Sequence, residues 1–253
     1  MKKTFQILSL CLALAAFAVG ASASTNGAAR YDASIQSKVT QQLASKKQFH
    51  DVQASVEDGI VTLTGNVDLY QQKLDATKKV RKMANVQGVR NLIEVAGPGV
   101  SDAQLAAQLD RKLYYDRLGY YDVAFNYITA SVQDGVATLN GDARTEYDRD
   151  SALAQVYNTP GVKDVISNVK VAPASFFDDQ IRVKTARAIY RDPVLSRYGI
   201  DPARPIRIVV DNGHVALYGV VANQMDKNVA GIRANQVFGA FSVQNNLQVV
   251  KSS

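Results

Sequence analysis

Three dipeptides hold the most regularly placed polar side chains in this chain: Asp58-Gly59, Asp134-Gly135 and Asn212-Gly213. A carboxylate can ligate a metal or move a proton, but either task needs partners at short spacing. One acid per repeat at a turn supplies none, so these residues read as turn chemistry. His50 and His214 are the only histidines, sit far apart, and fall in or beside loops with no nucleophile at hand. Cys11 is the only cysteine and lies in an N-terminal apolar run. Beyond it there is no thiol for a nucleophile, a thiolate metal site or a disulfide. The glycines punctuate hairpins and do not open a helix as G-x-G-x-x-G. No catalytic residue, metal or cofactor is expected, and the chain does not read as an enzyme.

Binding chemistry is more evident. Lys184, Arg187 and Arg191 recur at steps of three and four, which places them on one helical stripe, with Phe176-Phe177 just before that helix and Tyr190 beside it. Basic residues next to aromatics suit an anionic lipid headgroup surface. Lys78, Lys79, Arg81 and Lys82 form a second basic cluster. For both clusters the alternative is an ordinary solvated helix face. Tyr114, Tyr115, Tyr120 and Tyr121, near Phe125 and Tyr127, suit either a core or a protein-contact surface.

The elements that position these residues follow from an internal repeat. Val56 to Gly65 (VEDGIVTLTG) recurs as Val132 to Gly141 (VQDGVATLNG) and as Val210 to Gly219 (VDNGHVALYG). The turn glycines Gly59, Gly135 and Gly213 are thus 76 and 78 positions apart. Asp-Gly and Asn-Gly are type I′ hairpin dipeptides, and apolar residues alternate on either side as in half-buried strands. The second glycine of each copy, Gly65, Gly141 or Gly219, is expected to end the second strand. A helix follows, with small or apolar residues at Ala76 and Val80, Ala152 and Val156, and Ala230 and Ala234. A glycine turn is then expected at Gly88, Gly161 and Gly239, leading into a strand that ends at Val95, Val171 or Val249. Ile35, Val39 and Leu43, then Leu105, Leu109 and Leu113, then Ile181, Ala188 and Ile189 mark a helix ahead of each hairpin. The unit is αββαβ. The fold class is α+β: three tandem two-layer sandwiches, each a small three-stranded mixed sheet packed on two helices.

Met1, Lys2 and Lys3, the apolar run Phe5 to Val19 and the small residues Ala21-Ser22-Ala23 read as a secretory signal peptide, residues 1–23, cleaved after Ala23. Residues 24–30 read as a disordered lead, and the modules as 31–97, 100–171 and 173–251, parted at Gly97-Pro98-Gly99 and Ala172-Pro173-Ala174. Residues 30–98 carry ten basic and seven acidic side chains, 101–171 seven and ten, and 172–253 ten and six. Two basic modules therefore flank an acidic one, and a mildly basic total is no nucleic-acid signature. The alternation leaves open docking between copies or contact with anionic partners.

The pattern V-x-D-G-x-V-x-L-x-G, followed about 20 residues later by G-V and by a V-x-N-x-x-V-like strand, resembles the BON domain, and it does so over essentially the whole chain after residue 30. The resemblance implies a periplasmic or outer-membrane-associated protein that binds phospholipid or supports the envelope under osmotic stress, with chaperone-like activity among tandem-module relatives. It transfers no catalytic residue. Copy three departs most, with Asn212 for Asp, Ala240 after the glycine, and an added Asp201-Pro202-Ala203-Arg204-Pro205 loop. Copy one looks shortened, since Gly88 lies seven residues before Val95 while the later copies show ten, and its last strand is expected to pair differently. The expected function is non-catalytic, peripheral association with anionic phospholipid headgroups through the basic clusters. The alternatives are chaperone-like binding of envelope or unfolded client proteins and scaffolding by self-association.

Overall fold

The structure is a computed structural model that describes residues 29–97, 99–115, 123–200 and 205–250. The signal segment, Tyr120, Tyr121, Asp201 to Arg204 and the side chains of Tyr114 and Tyr115 lie outside the described residues. Module 1 contains α1 (Asp32–Ala44), β1 (Val52–Glu57), β2 (Ile60–Val67), α2 (Tyr70–Arg81), β3 (Gly88–Asn91) and β4 (Glu94–Val95). Module 2 contains α3 (Asp102–Tyr115), β5 (Tyr127–Gln133), β6 (Val136–Ala143), α4 (Glu146–Tyr157) and β7 (Asp164–Val171). Module 3 contains α5 (Phe176–Tyr190), α6 (Arg197–Ile200), β8 (Arg207–Asp211), β9 (His214–Tyr218), β10 (Val220–Val221), α7 (Gln224–Asn235), β11 (Ser242–Asn245) and β12 (Gln248–Val249).

Each module is α+β. Its hairpin strands pair antiparallel, and the strand after the second helix returns parallel to the central strand, as a helical crossover requires. The first helix buries one stripe: Ile35, Val39 and Leu43 in α1, Leu105 and Leu109 in α3, and Ile181, Thr185 and Ile189 in α5. Thr185 takes the place in that stripe that sequence spacing leaves to apolar residues. Ala76, Ala230 and Ala234 are fully buried, so the second helix lies close on the sheet.

The hairpin tips show why the repeat looks as it does. Asp58 and Gly59, Asp134 and Gly135, and Asn212 and Gly213 all have positive φ, from 49° to 80°, the geometry of a type I′ turn. A carboxylate from the start of the first helix grips each tip. Asp32 accepts from the N–H groups of Asp58 and Gly59 at 2.9 and 2.8 Å. Asp102 accepts from Asp134 and Gly135, and Asp178 from Asn212 and Gly213.

Two boundaries differ from the sequence reading. Gly65 and Gly141 do not end the second strand but lie inside β2 and β6, while Gly219 separates β9 from β10. All three have φ above 100°, and a Cβ on Gly65 or Gly141 would collide with the carbonyl oxygen of Asp51 or Tyr127 on the neighbouring segment. Gly88 is not the turn of copy one. It is the first residue of β3, and Asn85, with φ 68°, stands where Gly161 and Gly239 stand, at φ 95° and 101°. Asn tolerates the left-handed region, so the turn survives without glycine. Asn85 lies ten residues before Val95, the interval found in the other copies, and copy one is not shortened. Its last strand pairs parallel with β2, as β7 pairs with β6.

That strand is interrupted in modules 1 and 3 by an asparagine that bonds to the helix above. Asn91 donates to the Lys73 carbonyl at 2.8 Å, and Asn245 to the Lys227 carbonyl at 2.7 Å. In module 2 Ser167 holds the equivalent register position, opposite Leu139, and β7 runs unbroken.

The modules touch. Tyr70 packs against the cores of both modules 1 and 2, 5.4 Å from the Tyr157 ring, with Asp164 hydrogen-bonded to its hydroxyl. Tyr127 and Tyr218 stack at 4.0 Å between modules 2 and 3, and Phe125 packs on the module 3 core. In module 3, the segment around α6 is tied down by Arg197 and Tyr198 on the buried Asp226, and by Asp192 with Arg233 at 2.7 Å.

Candidate functional site

A set of exposed aromatic and cationic side chains starts at α5. Ser175 caps this helix by accepting from the Asp178 N–H at 3.2 Å. That cap makes Phe176 and Phe177 the first residues of the helix, not a segment before it. Their relative exposures are 72% and 76%, high for phenylalanine. Phe177, Lys184 and Arg191 are exposed along this helix, with the buried Ile181 and half-buried Ala188 between them, and the exposed Arg187 flanks them.

The turn after α7 completes the surface. Gly239 packs over Ile181, and Phe238, 88% exposed, lies under the Lys184 ammonium, which is 5.8 Å from its ring centroid. Phe241, 79% exposed, rests on Gly213 of the hairpin tip. At the other end of the stripe, Arg187 and Arg191 share a groove of about 270 Å³ with Arg233, Gln236 and Asp192. Arg233 holds the Asp192 carboxyl below its ordinary range, mainly by their hydrogen bond. One end of the surface is thus aromatic and the other cationic, with Lys184 between them.

Comparing the copies shows that module 3 alone is built this way. Counted from the aligned turns, Phe238 corresponds to Ala84 and Pro160, and Phe241 to Gln87 and Lys163. Phe177 corresponds to Tyr31 and Ser101, the residues before the tip-gripping Asp32 and Asp102. The fold does not require phenylalanine at any of the three positions. Phe238 and Phe241 were missed by sequence reading because each is an isolated aromatic near a turn. Aligning the copies on Asn85 in place of Gly88 would have exposed the substitution.

Tyr190 does not join this surface. It is half-buried, its ring lies against Gly199, and its hydroxyl donates to the Ile206 carbonyl at 2.6 Å. Burial pushes that phenol up from its ordinary pKa. The cluster in module 1 lies on the last turn of α2 and its cap. Lys78, Lys79 and Lys82 line an open groove of about 540 Å³ with Lys46 from the end of α1, while the exposed Arg81 is outside it. Cations at helix C-termini also complement the helix dipoles, which gives this cluster a purely structural use. The tyrosines proposed for protein contact lie outside the described residues, except for the backbone of Tyr114 and Tyr115.

The residues of the repeat signature do structural work. Asp58, Asp134 and Asn212 supply turn geometry, and the carboxylates that bond the tips are Asp32, Asp102 and Asp178. A first-turn acid in every copy was the available signal, but its distance from the turn glycine varies with the intervening loop. A cleft of about 420 Å³ lies between modules 2 and 3, lined by residues including Asp110, Ile128, Arg207 and Val220. Desolvation raises the Asp110 carboxyl, which accepts from the Ala130 N–H. Asp148, also on this cleft, is occupied in capping α4 through Thr145. Among the described residues no group of three or more His, Cys, Asp or Glu side chains could hold a metal ion, and no helix is long and apolar enough to cross a membrane.

A protein of Anaplasma centrale, described as the uncharacterized protein in the gshII 5′ region, is 28% identical over 146 residues, covering 55% of this chain and 94% of that one. Among solved structures, the C-terminal domain of CdsD, a structural protein of the type III secretion system of Chlamydia trachomatis, aligns over 85% of this chain and 96% of its own. Its identity is 15% and its TM-score 0.24. The periplasmic domain of PrgH aligns over 81% of this chain and 96% of its own, with 10% identity and a TM-score of 0.19. Scores that low carry no structural argument. Residues 31–97, 101–173 and 178–251 each match the BON domain, together most of the chain, and the protein belongs to the BON domain family.

Proposed function

We propose that this protein is a non-catalytic periplasmic component of the bacterial envelope that attaches peripherally to anionic phospholipid through module 3. One observation carries the reading: Phe177, Phe238 and Phe241 are each more than three-quarters exposed on one end of the module, with Lys184 over the Phe238 ring and Arg187 and Arg191 behind it. Phenylalanine transfers from water to an apolar phase with a gain of about 1.5–3 kcal/mol, and a cation near an anionic leaflet adds about 1 kcal/mol. Three aromatics and three cations are therefore enough for reversible attachment once the cost of immobilisation is met. Support for the periplasm comes from the signal-like N-terminus and from what BON resemblance implies.

Flotation of the mature chain with phosphatidylglycerol-containing and purely zwitterionic vesicles tests this. Binding is expected only to the anionic vesicles, weakening as salt rises. Phe238→Ser with Phe241→Ser is expected to lower partitioning about tenfold or more, and Lys184→Ala with Arg187→Ala and Arg191→Ala to remove the salt dependence. Binding indifferent to lipid charge and to both sets of changes overturns the proposal. Suppression of client aggregation without vesicle binding favours the chaperone-like alternative.

A further inference from the structure

We propose that module 1 carries a second contact for anionic bilayers, so that a chain held on one bilayer by module 3 bridges to another; the bridge rests on the surface assignment above for its first contact. The second contact is the groove of about 540 Å³ where Lys46 meets Lys78, Lys79 and Lys82. Asp75 also lines this groove, and its Oδ1 already accepts from Gln71 at 2.9 Å. Among the described residues, none of the four lysines forms an ion pair. The helix dipole amounts to about half a charge at the C-terminus. One cation answers it, and the others repel one another.

The fold does not ask for lysine at these places. Counted from the aligned turns, Lys78, Lys79 and Lys82 correspond to Ala154, Gln155 and Asn158 in module 2, and to Ile232, Arg233 and Gln236 in module 3. An unpaired cationic cluster confined to one copy suits an anion from outside the chain. Ammonium groups on flexible stems, with no aromatic beside them, fit an array of headgroup phosphates better than one shaped ligand. Without an apolar anchor they hold a bilayer loosely, so the contact gains strength where many copies are already concentrated on a first bilayer.

The two contacts lie apart. Tyr70, the first residue of α2, joins module 2 at Asp164, where β7 begins, and the lysines of α2 lie toward its other end. Module 3 joins the far end of the same sheet. There Tyr127, opposite Asp142, stacks on Tyr218, Asp142 lies opposite Lys170 near the end of β7, and Arg144 is 3.4 Å from Asp179 of α5. The eight residues of β7 span about 23 Å. Screening in physiological salt acts over about 8 Å, so the groove and the module 3 surface meet anions independently.

Two measurements test the bridge. In the first, the mature chain is mixed with phosphatidylglycerol-containing vesicles, and their clustering is read by light scattering beside flotation. Clustering is expected, and Lys46→Gln, Lys78→Gln, Lys79→Gln and Lys82→Gln together are expected to lower it about tenfold or more while flotation is kept. These changes leave Arg81 at the helix end and are expected not to lower the urea midpoint. In the second, a chain with Phe238→Ser, Phe241→Ser, Lys184→Ala, Arg187→Ala and Arg191→Ala is anchored by a C-terminal histidine tag to zwitterionic, nickel-chelating vesicles. It is expected to capture free phosphatidylglycerol vesicles, and to lose that capture when the four lysine changes are added. Clustering that survives the lysine changes, or a urea midpoint that falls with them, overturns the bridge. Clustering by the unaltered chain without capture by the anchored one assigns it to pairing between copies, which also overturns the bridge. Flotation without clustering overturns the bridge and leaves the surface assignment standing. Absence of flotation overturns the surface assignment, and the bridge with it.

Discussion

Glycines and carboxylates at turns shape this protein more than any reactive group. The sequence made Asp58, Asp134 and Asn212 look like a functional signature, and their spacing correctly marked the hairpins. It did not show that the carboxylates bonding the tips come from Asp32, Asp102 and Asp178, because hydrogen bonds across a variable loop leave no fixed interval. The inner glycines were legible as necessary but were given the wrong reason. Gly65 is required because its φ is 105° and the Asp51 carbonyl leaves no space for a Cβ. Gly65→Ala is therefore expected to destabilise module 1 by about 2 kcal/mol or more, through left-handed strain and collision. Gly99→Ala is expected to change stability little, since a Cβ there meets nothing within 4 Å. Urea denaturation of the two variants checks the contrast.

Elements were legible wherever periodicity and turns agreed, and illegible where a side chain replaced a backbone rule. Asn85 substitutes for glycine at the turn after α2, and for that reason copy one looked three residues short. The exposed edge of each first hairpin strand is also guarded from the first helix. Gln36 donates to the Ala54 carbonyl at 2.7 Å, Asp110 accepts from the Ala130 N–H, and Arg182 donates to the Val210 carbonyl at 2.6 Å. Covered edges resist strand addition, which speaks against clients being held by edge pairing at these strands.

Between α5 and α7, the pair of Asp192 and Arg233 gives a test with a defined sign. The Asp192 carboxyl is held below its ordinary range in the folded chain. Its pairing therefore contributes stability above the unfolded carboxylate pKa and loses it as pH falls through the depressed folded value. Arg233→Ala is expected to lower the urea midpoint near neutrality, and the deficit is expected to shrink as pH falls below the ordinary carboxylate range. A deficit unchanged with pH would assign the role of Arg233 to packing.

At the scale of the whole molecule, three copies of one fold differ most visibly at their surfaces. The outer modules are basic and the middle one acidic, as the charge counts showed. The junctions use aromatic pairs, Tyr70 with Tyr157 and Tyr127 with Tyr218, that sequence inspection could not assign to partners. The cations of α5 were readable from spacing. Phe238 and Phe241 became a site only when the turn after α7 was folded back onto α5, because they are distant in sequence from Phe177 and Lys184.

Attachment through module 3 depends on that juxtaposition. The chain contains no tryptophan, so Phe238→Trp introduces a single tryptophan at the most exposed large apolar position among the described residues, and Tyr147→Trp, 71% exposed in module 2, provides the comparison. On addition of phosphatidylglycerol vesicles, Trp emission from the position-238 variant is expected to shift to the blue and to be quenched by brominated acyl chains, while the position-147 variant stays unchanged. An unshifted, unquenched signal from position 238 under conditions where the protein floats with the vesicles would contradict attachment through module 3.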